Sequence, residues 1–142
     1  MKTSREILSS LLKTTQMGQI GIRCCLNASM SQELRGALER QLREYDSIEA
    51  EAHAIASQRG WEVPELDPAV KFMAGTMTRM KLGRRCTDSR IADMMIQGNT
   101  RGMVKSFQNL HRFSDRDNKL RTLSQKLLDC ENANIRQMQG FL

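Results

Sequence analysis

Residues 3–28 of the chain read TSREILSSLLKTTQMGQIGIRCCLNA, and this stretch decides the class of fold. It opens on a capping box, in which the Thr3 hydroxyl and the Glu6 carboxylate can each accept a backbone N–H at a helix start. Apolar or small residues then return with the period of a buried helical stripe: Leu8, Leu11, Leu12, Thr15, Gly18, Ile22, Cys25 and Leu26. The stretch predicts an amphipathic helix that ends near residue 27 or 28.

The following residues predict a second long helix and a short extra one. Ser29 and Gln32 form another capping box, and the stripe behind it runs to Gly60, which suits a helix C-terminus. Asp67 followed by Pro68 is a typical helix start, with an aspartate cap and a proline in the first turn. The short helix therefore lies in the connection that follows the first two helices.

Two further stripes complete the pattern. The third helix is predicted to begin near Ser89, and the fourth follows a Ser114 cap and ends near Gly140. The chain then divides into two helical hairpins, 3–60 and 89–140, joined by a crossover at 61–88. Such an order is typical of a ferritin-like, antiparallel four-helix bundle, so we predict one all-α domain over residues 1–142.

Composition limits the class of protein. The 142 residues are 39% hydrophobic and 27% charged, which is enough for one core. No segment has the apolar length of a signal peptide or a membrane span, so we expect a cytoplasmic protein with no membrane partner. The four cysteines show no zinc or redox spacing and are expected to be reduced, mostly buried thiols.

The net charge of +6 raises the question of an anionic partner. One segment concentrates basic residues against a single acid, Asp88, and it is a candidate anion-binding site: Arg79, Lys81, Arg84, Arg85 and Arg90. Elsewhere acids and bases alternate. A solvated helix end is therefore favoured over a nucleic-acid site at this segment.

Several short segments resemble small, uncharacterised bacterial proteins of ferritin-like fold, of the kind found in Firmicutes. The resemblance is carried by residues 13–18 (KTTQMG), 44–45 (EY), 91–98 (IADMMIQG), 129–135 (DCENANI) and the final pair FL. It covers nearly the whole chain. It implies a four-helix bundle that lacks a complete di-iron motif and has no assigned chemistry.

A ferritin-like di-iron site requires a glutamate on each of two helices and a Glu-x-x-His pair on each of the others. Neither histidine here lies three residues after a glutamate. We therefore expect no metal and no other cofactor. The residues that could still serve as ligands are Glu44, Glu49, His53 and Glu131.

Amides stand near the positions where a metal-binding relative would carry charged ligands. With the lone tyrosine, they are candidates for a polar core: Gln19, Tyr45, Gln97, Asn99 and Asn134. Neutral amides donate and accept hydrogen bonds at once, so such a network could satisfy itself without a cation. The alternative is that some of these side chains point to solvent.

Four glycines fall inside the predicted first and third helices, where each costs about 1 kcal/mol relative to alanine: Gly18, Gly21, Gly98 and Gly102. We interpret them as points of close packing between the first and third helices. A ligand seated against the resulting gap is the functional alternative.

The sequence favours a non-enzymatic protein, because it contains no nucleophile elbow, phosphate-binding loop or recognisable Cys–His pair. The leading hypothesis is self-association, as a dimer, or binding of a protein partner. The first alternative is a degenerate metal-binding or oxidoreductase bundle. The second is anion or nucleic-acid binding through residues 79–90.

Overall fold

Four long helices dominate the computed structural model, which describes residues 1–63, 66–71, 75–76 and 86–142. They are α1 (Ser4–Cys25), α2 (Gln32–Gln58), α3 (Asp88–Arg112) and α4 (Asn118–Gln139). Residues 68–71 and 75–76 are also helical. The predicted all-α class is confirmed. Within the described ranges, no helix combines the length and apolarity needed to cross a membrane.

Two predicted helix ends are confirmed. Thr3 caps α1, its Oγ1 accepting the backbone N–H of Glu6 at 3.4 Å. Gly60 follows α2 with a φ of +66°, a left-handed conformation that glycine adopts without steric cost.

Two other helices begin close to, but not at, the predicted residues. The cap of α2 is Ser31 and not Ser29, and its backbone N–H also donates to Asp88 Oδ1 at 3.0 Å. The cap of α3 is Thr87, two residues before Ser89. The bond between Ser31 and Asp88 joins the two helix starts, a tertiary contact that no local capping pattern can reveal.

The start of α4 is displaced for a similar reason. The predicted cap, Ser114, instead donates from its Oγ to the Lys2 carbonyl at 3.0 Å. Asp117 caps α4 by accepting the N–H of Leu120 at 3.2 Å. Ser114 therefore bonds to Lys2, and Asp117 caps α4 in its place.

Contacts between helix ends give the relative directions. The Lys2 N–H donates to the Arg112 carbonyl at 2.6 Å, so α1 begins where α3 ends. Arg59, after α2, donates to Asp117 before α4. With the Ser31–Asp88 bond, these contacts make α1 antiparallel to α2 and α3, and α4 antiparallel to the same two helices. The helices pack in the order α1, α2, α4, α3 around a closed circuit, with further contact between α1 and α4.

The core lies where the inner faces of the four helices meet. Its largest side chains are at most 2% exposed and come from every helix: Leu12, Ile22, Leu34, Leu38, Ile48, Ile91, Leu120, Leu127 and Met138. All four cysteines are free; Cys25 and Cys130 are buried, while Cys24 and Cys86 are partly exposed.

Candidate functional site

A cavity of about 390 Å³ lies between α1 and α3. Its walls come from these two helices, and its floor comes from Tyr45 on α2 and Glu131 on α4. All four helices therefore contribute to one concave site. Its size falls within the usual range for small-molecule pockets.

Two of the four glycines in α1 and α3 make room for the floor. A Cβ at Gly18 would lie 2.7 Å from Cζ of Tyr45, and one at Gly102 would lie 1.8 Å from Oε2 of Glu131. Both distances are shorter than any real contact. The tyrosine ring and the glutamate carboxyl can occupy the site only because these positions lack side chains.

The other two glycines border open space. A Cβ at Gly21 or Gly98 would meet no atom within 4 Å in the described part of the chain. Both residues line the cavity. The sequence interpretation of close helix packing therefore does not hold at these two positions, which border open space; Gly98 is itself exposed.

Three buried polar groups, of which Tyr45 and Asn99 line the cavity, form a hydrogen-bonded network. Burial raises the pKa of Tyr45 well above its usual value, so its hydroxyl keeps its proton and donates to Asn99 Oδ1 at 2.9 Å. The same oxygen accepts from Asn134 Nδ2 at 3.4 Å, and Asn99 Nδ2 donates to the Met95 carbonyl at 2.8 Å. Tyr45, Asn99 and Asn134 thus form a connected network.

Glu131 is the most unusual group of the floor. Its side chain is 1% exposed, and Ser106 Oγ donates to its Oε1 at 3.5 Å, a long bond. Among the described residues, no cation pairs with it. Burial raises the pKa of Glu131 to about 8, so the carboxyl is mostly protonated at neutral pH.

The rim of the cavity is basic. Lys13 on α1 and Arg101 and Lys105 on α3 line it and are exposed. Within the described ranges, no acidic side chain forms an ion pair with any of the three. Since Glu131 is mostly protonated, the charge around the cavity is positive.

The antiparallel register of α1 and α3 orders the lining residues along the cavity. Asn109 Nδ2 donates to Ser10 Oγ at 2.9 Å near one end of the pair, and Cys25 Sγ donates to Met95 Sδ at 3.7 Å near the other. Residues between these contacts pair in reverse order. Lys13 is therefore level with Lys105, while Gly21 is level with Gly98 at the opposite end.

Two predicted members of the polar core do not join the network of Tyr45, Asn99 and Asn134. Gln19 is buried, but its Nε2 donates to Asp46 Oδ1 on α2 at 2.8 Å. Gln97 is exposed at the cavity edge and donates to Asp93 at 3.3 Å.

The candidate metal ligands are dispersed. His53 and Glu44 are exposed, and Glu49 accepts from Gln16 Nε2 at 3.4 Å. Only Glu131 lies in the cavity. In the part of the chain that the structure describes, no three His, Cys, Asp or Glu side chains are grouped so as to hold a metal ion.

The predicted anion-binding segment is largely beyond what the structure describes. Arg79, Lys81, Arg84 and Arg85 lie outside the described residues. Arg90 is exposed in the first turn of α3, where its backbone N–H donates to the Thr87 hydroxyl at 3.2 Å.

Sequence reasoning did not place Glu131 in the core. A signal was present, because Leu127, Glu131, Asn134 and Met138 fall at helical spacing on the buried face of α4. The basic rim offered no such signal, because the placement of Lys13 level with Lys105 depends on how α1 and α3 are registered.

No protein-family model, curated protein or solved structure matches the chain. The candidate site is therefore interpreted from its own geometry and chemistry.

Proposed function

We propose that this is a non-enzymatic binding protein whose cavity between α1 and α3 holds a small organic molecule. The observation that carries the proposal is the open space beside Gly21 and Gly98, in a cavity whose lining includes the buried side chains of Tyr45, Asn99 and Glu131. Two glycines inside helices cost stability, and no neighbour in the described chain occupies the room they leave. A ligand that fills this room would offset that cost.

The polar groups of the cavity suit the binding of a ligand. Tyr45 and Asn99 are engaged with each other, and Glu131 holds its proton at neutral pH. Such groups orient a ligand by hydrogen bonds, which is the usual role of a few polar groups in an otherwise apolar pocket.

The helix directions support a ferritin-like four-helix bundle as the architecture. Each helix runs antiparallel to both of its circuit neighbours, and the one long connection joins α2 to α3. Ferritin-like folds have one such crossover, and bundle proteins place ligand sites between facing helices. The proposed site has this location.

Titration with 1-octanol, a neutral amphiphile, tests the proposal. We expect amide NMR signals around Gly21 and Gly98 to shift in a saturable way. A Gly98→Leu variant, which fills the gap, should lose the response. Ala50→Leu adds the same apolar side chain at an exposed position of α2 and serves as the control. Shifts scattered over the surface, or unchanged in Gly98→Leu, would contradict a ligand cavity.

Self-association is a second candidate function, as the sequence suggested. Val104 and Phe107 are 52% and 45% exposed and lie one turn apart on α3. Two large apolar side chains on one exposed helix face favour contact with a second apolar surface.

A further inference from the structure

We propose that the ligand of this cavity is an amphipathic carboxylate, with its acid group between Lys13 and Lys105 and its apolar body directed toward Met94 and Met95. The inference rests on the proposed binding function and specifies the class of ligand. It follows from three properties of the cavity: the distribution of charged and apolar residues along it, its net charge and its length.

The distribution of charged and apolar residues comes from the register of α1 and α3. Lys13 and Lys105 are level at one end, and Gly102, whose missing side chain makes room for the Glu131 carboxyl, lies beside them. At the other end, Ile20, Met94 and Met95 supply apolar lining beside Gly21 and Gly98, and the polar lining residues there, Gln97 and Asn99, are uncharged. A ligand polar at one end and apolar at the other matches this gradient, whereas a uniformly polar molecule does not.

The charge selects an anion. Lys13, Arg101 and Lys105 contribute positive charge, and the protonated Glu131 contributes none at neutral pH. A cationic amine would approach three like charges before reaching the floor. An anionic head instead gains attraction at the rim, and it can accept a hydrogen bond from the Glu131 carboxyl.

The length indicates a medium-chain molecule. Between Met95 and Lys105 the helix rises about 15 Å, at about 1.5 Å per residue. Methionine side chains are flexible and polarizable, so they can adapt to an alkyl chain or an aromatic body of similar size. The volume of about 390 Å³ holds one such molecule.

Calorimetric titration with three probes of equal chain length tests the class of ligand: octanoate, 1-octanol and octylammonium. We expect octanoate to bind roughly tenfold more tightly than octanol, as for a head group that gains about one charge-assisted contact. Octylammonium should bind most weakly. Added salt should weaken octanoate binding and leave octanol binding unchanged.

A charge-matched pair of variants locates the effect. The double variant Lys13→Gln/Lys105→Gln should bring octanoate affinity down to that of octanol, without changing octanol affinity. The control Lys119→Gln/Lys126→Gln removes the same net charge from exposed sites on α4 and should leave octanoate affinity near that of the wild type.

The outcomes separate this inference from the proposed function. Equal affinities for octanoate and octanol would overturn the anion assignment while the cavity remains a binding site. Tightest binding of octylammonium would also overturn it and indicate a cation paired with Glu131. If both double variants lost octanoate affinity equally, the preference for an anion would come from the net charge of the protein and not from the lysines of the cavity. Binding of none of the three probes would remove the proposed function together with the inference.

Discussion

Glu131 shows how one residue can make the stability of this protein depend on pH. Its pKa rises from 4.5 to about 8 because the folded state removes it from water. Between these two values the native state holds a proton that the unfolded state has released. The stability contributed by the protonated carboxyl is present below pH 4.5 and is lost as pH rises through about 8.

The substitution Glu131→Gln should remove this dependence, because an amide of similar shape carries no titrating proton. We expect the variant to gain stability relative to the wild type as pH rises, by at most about 1.4 kcal/mol per pH unit within that window. Urea unfolding of both proteins across the pH range measures the difference. Parallel pH profiles would show that Glu131 titrates normally in the folded protein.

The four glycines of α1 and α3 should respond to alanine in opposite ways. Gly21→Ala and Gly98→Ala add a methyl group to open space, so each should stabilise the protein by about 1 kcal/mol. Gly18→Ala and Gly102→Ala force Tyr45 or Glu131 to move and should destabilise by about 1–3 kcal/mol. Thermal unfolding compares the pairs within one helix, Gly21 with Gly18 and Gly98 with Gly102. Destabilisation at all four positions would indicate a closed helix contact.

At the scale of the elements, the helix ends carry the contacts that orient α2 and α4. Asp117 caps α4 and also accepts from Arg59 Nη2 at 3.0 Å. The hydrogen bond from Arg59 lowers the pKa of Asp117 from 3.8 to about 2. One carboxylate therefore serves both a helix start and a link between two helices.

Asp117→Ala should destabilise the protein by about 1–2 kcal/mol, the usual cost of losing a helix cap. Because the folded pKa is lowered, the stabilisation is present above pH 3.8 and is lost as pH falls toward 2. Urea unfolding at neutral and acid pH should show the two proteins converging under acid conditions. Asp93→Ala, which removes an exposed carboxylate bonded only to Gln97 among the described residues, is the control.

The helix boundaries also show which local signals can be trusted. Thr3 and Gly60 stand at the predicted helix ends, because the role of each depends only on residues close to it in the chain. Ser29 and Ser114 do not cap, because Asp88 and Lys2 bind the residues around them from distant parts of the chain. Capping patterns therefore place a helix start to within a few residues, and tertiary contacts select the residue.

For the whole molecule, periodicity was sufficient to predict four long helices, since each buries one apolar face. It was not sufficient for the site. Tyr45 could be named as a core candidate from its place on a buried stripe, and Asn99 and Asn134 from their places near the ligand positions of a metal-binding bundle. The same reasoning also names Gln19 and Gln97, which bond to other partners. Pairing across helices depends on register, and a single sequence contains no direct record of register.

Self-association through Val104 and Phe107 on α3 also concerns the whole molecule. If the exposed pair on α3 forms a contact between copies, light scattering after size-exclusion chromatography should give a dimer at high concentration. Phe107→Glu should convert it to a monomer by placing a charge in the contact. Lys126→Glu, a charge change on the exposed face of α4, should leave the mass unchanged. A wild-type monomer would contradict this second candidate function.

The two glycines that border open space, Gly21 and Gly98, also affect which mutations the chain can accept. A library selected only for resistance to heat should accumulate alanine at Gly21 and Gly98 while keeping Gly18 and Gly102. The same library selected for retention of a cavity ligand should keep all four. Glycines on adjacent turns of one helix would then be retained for two different reasons. Gly18 and Gly102 would be kept for folding, and Gly21 and Gly98 for ligand binding.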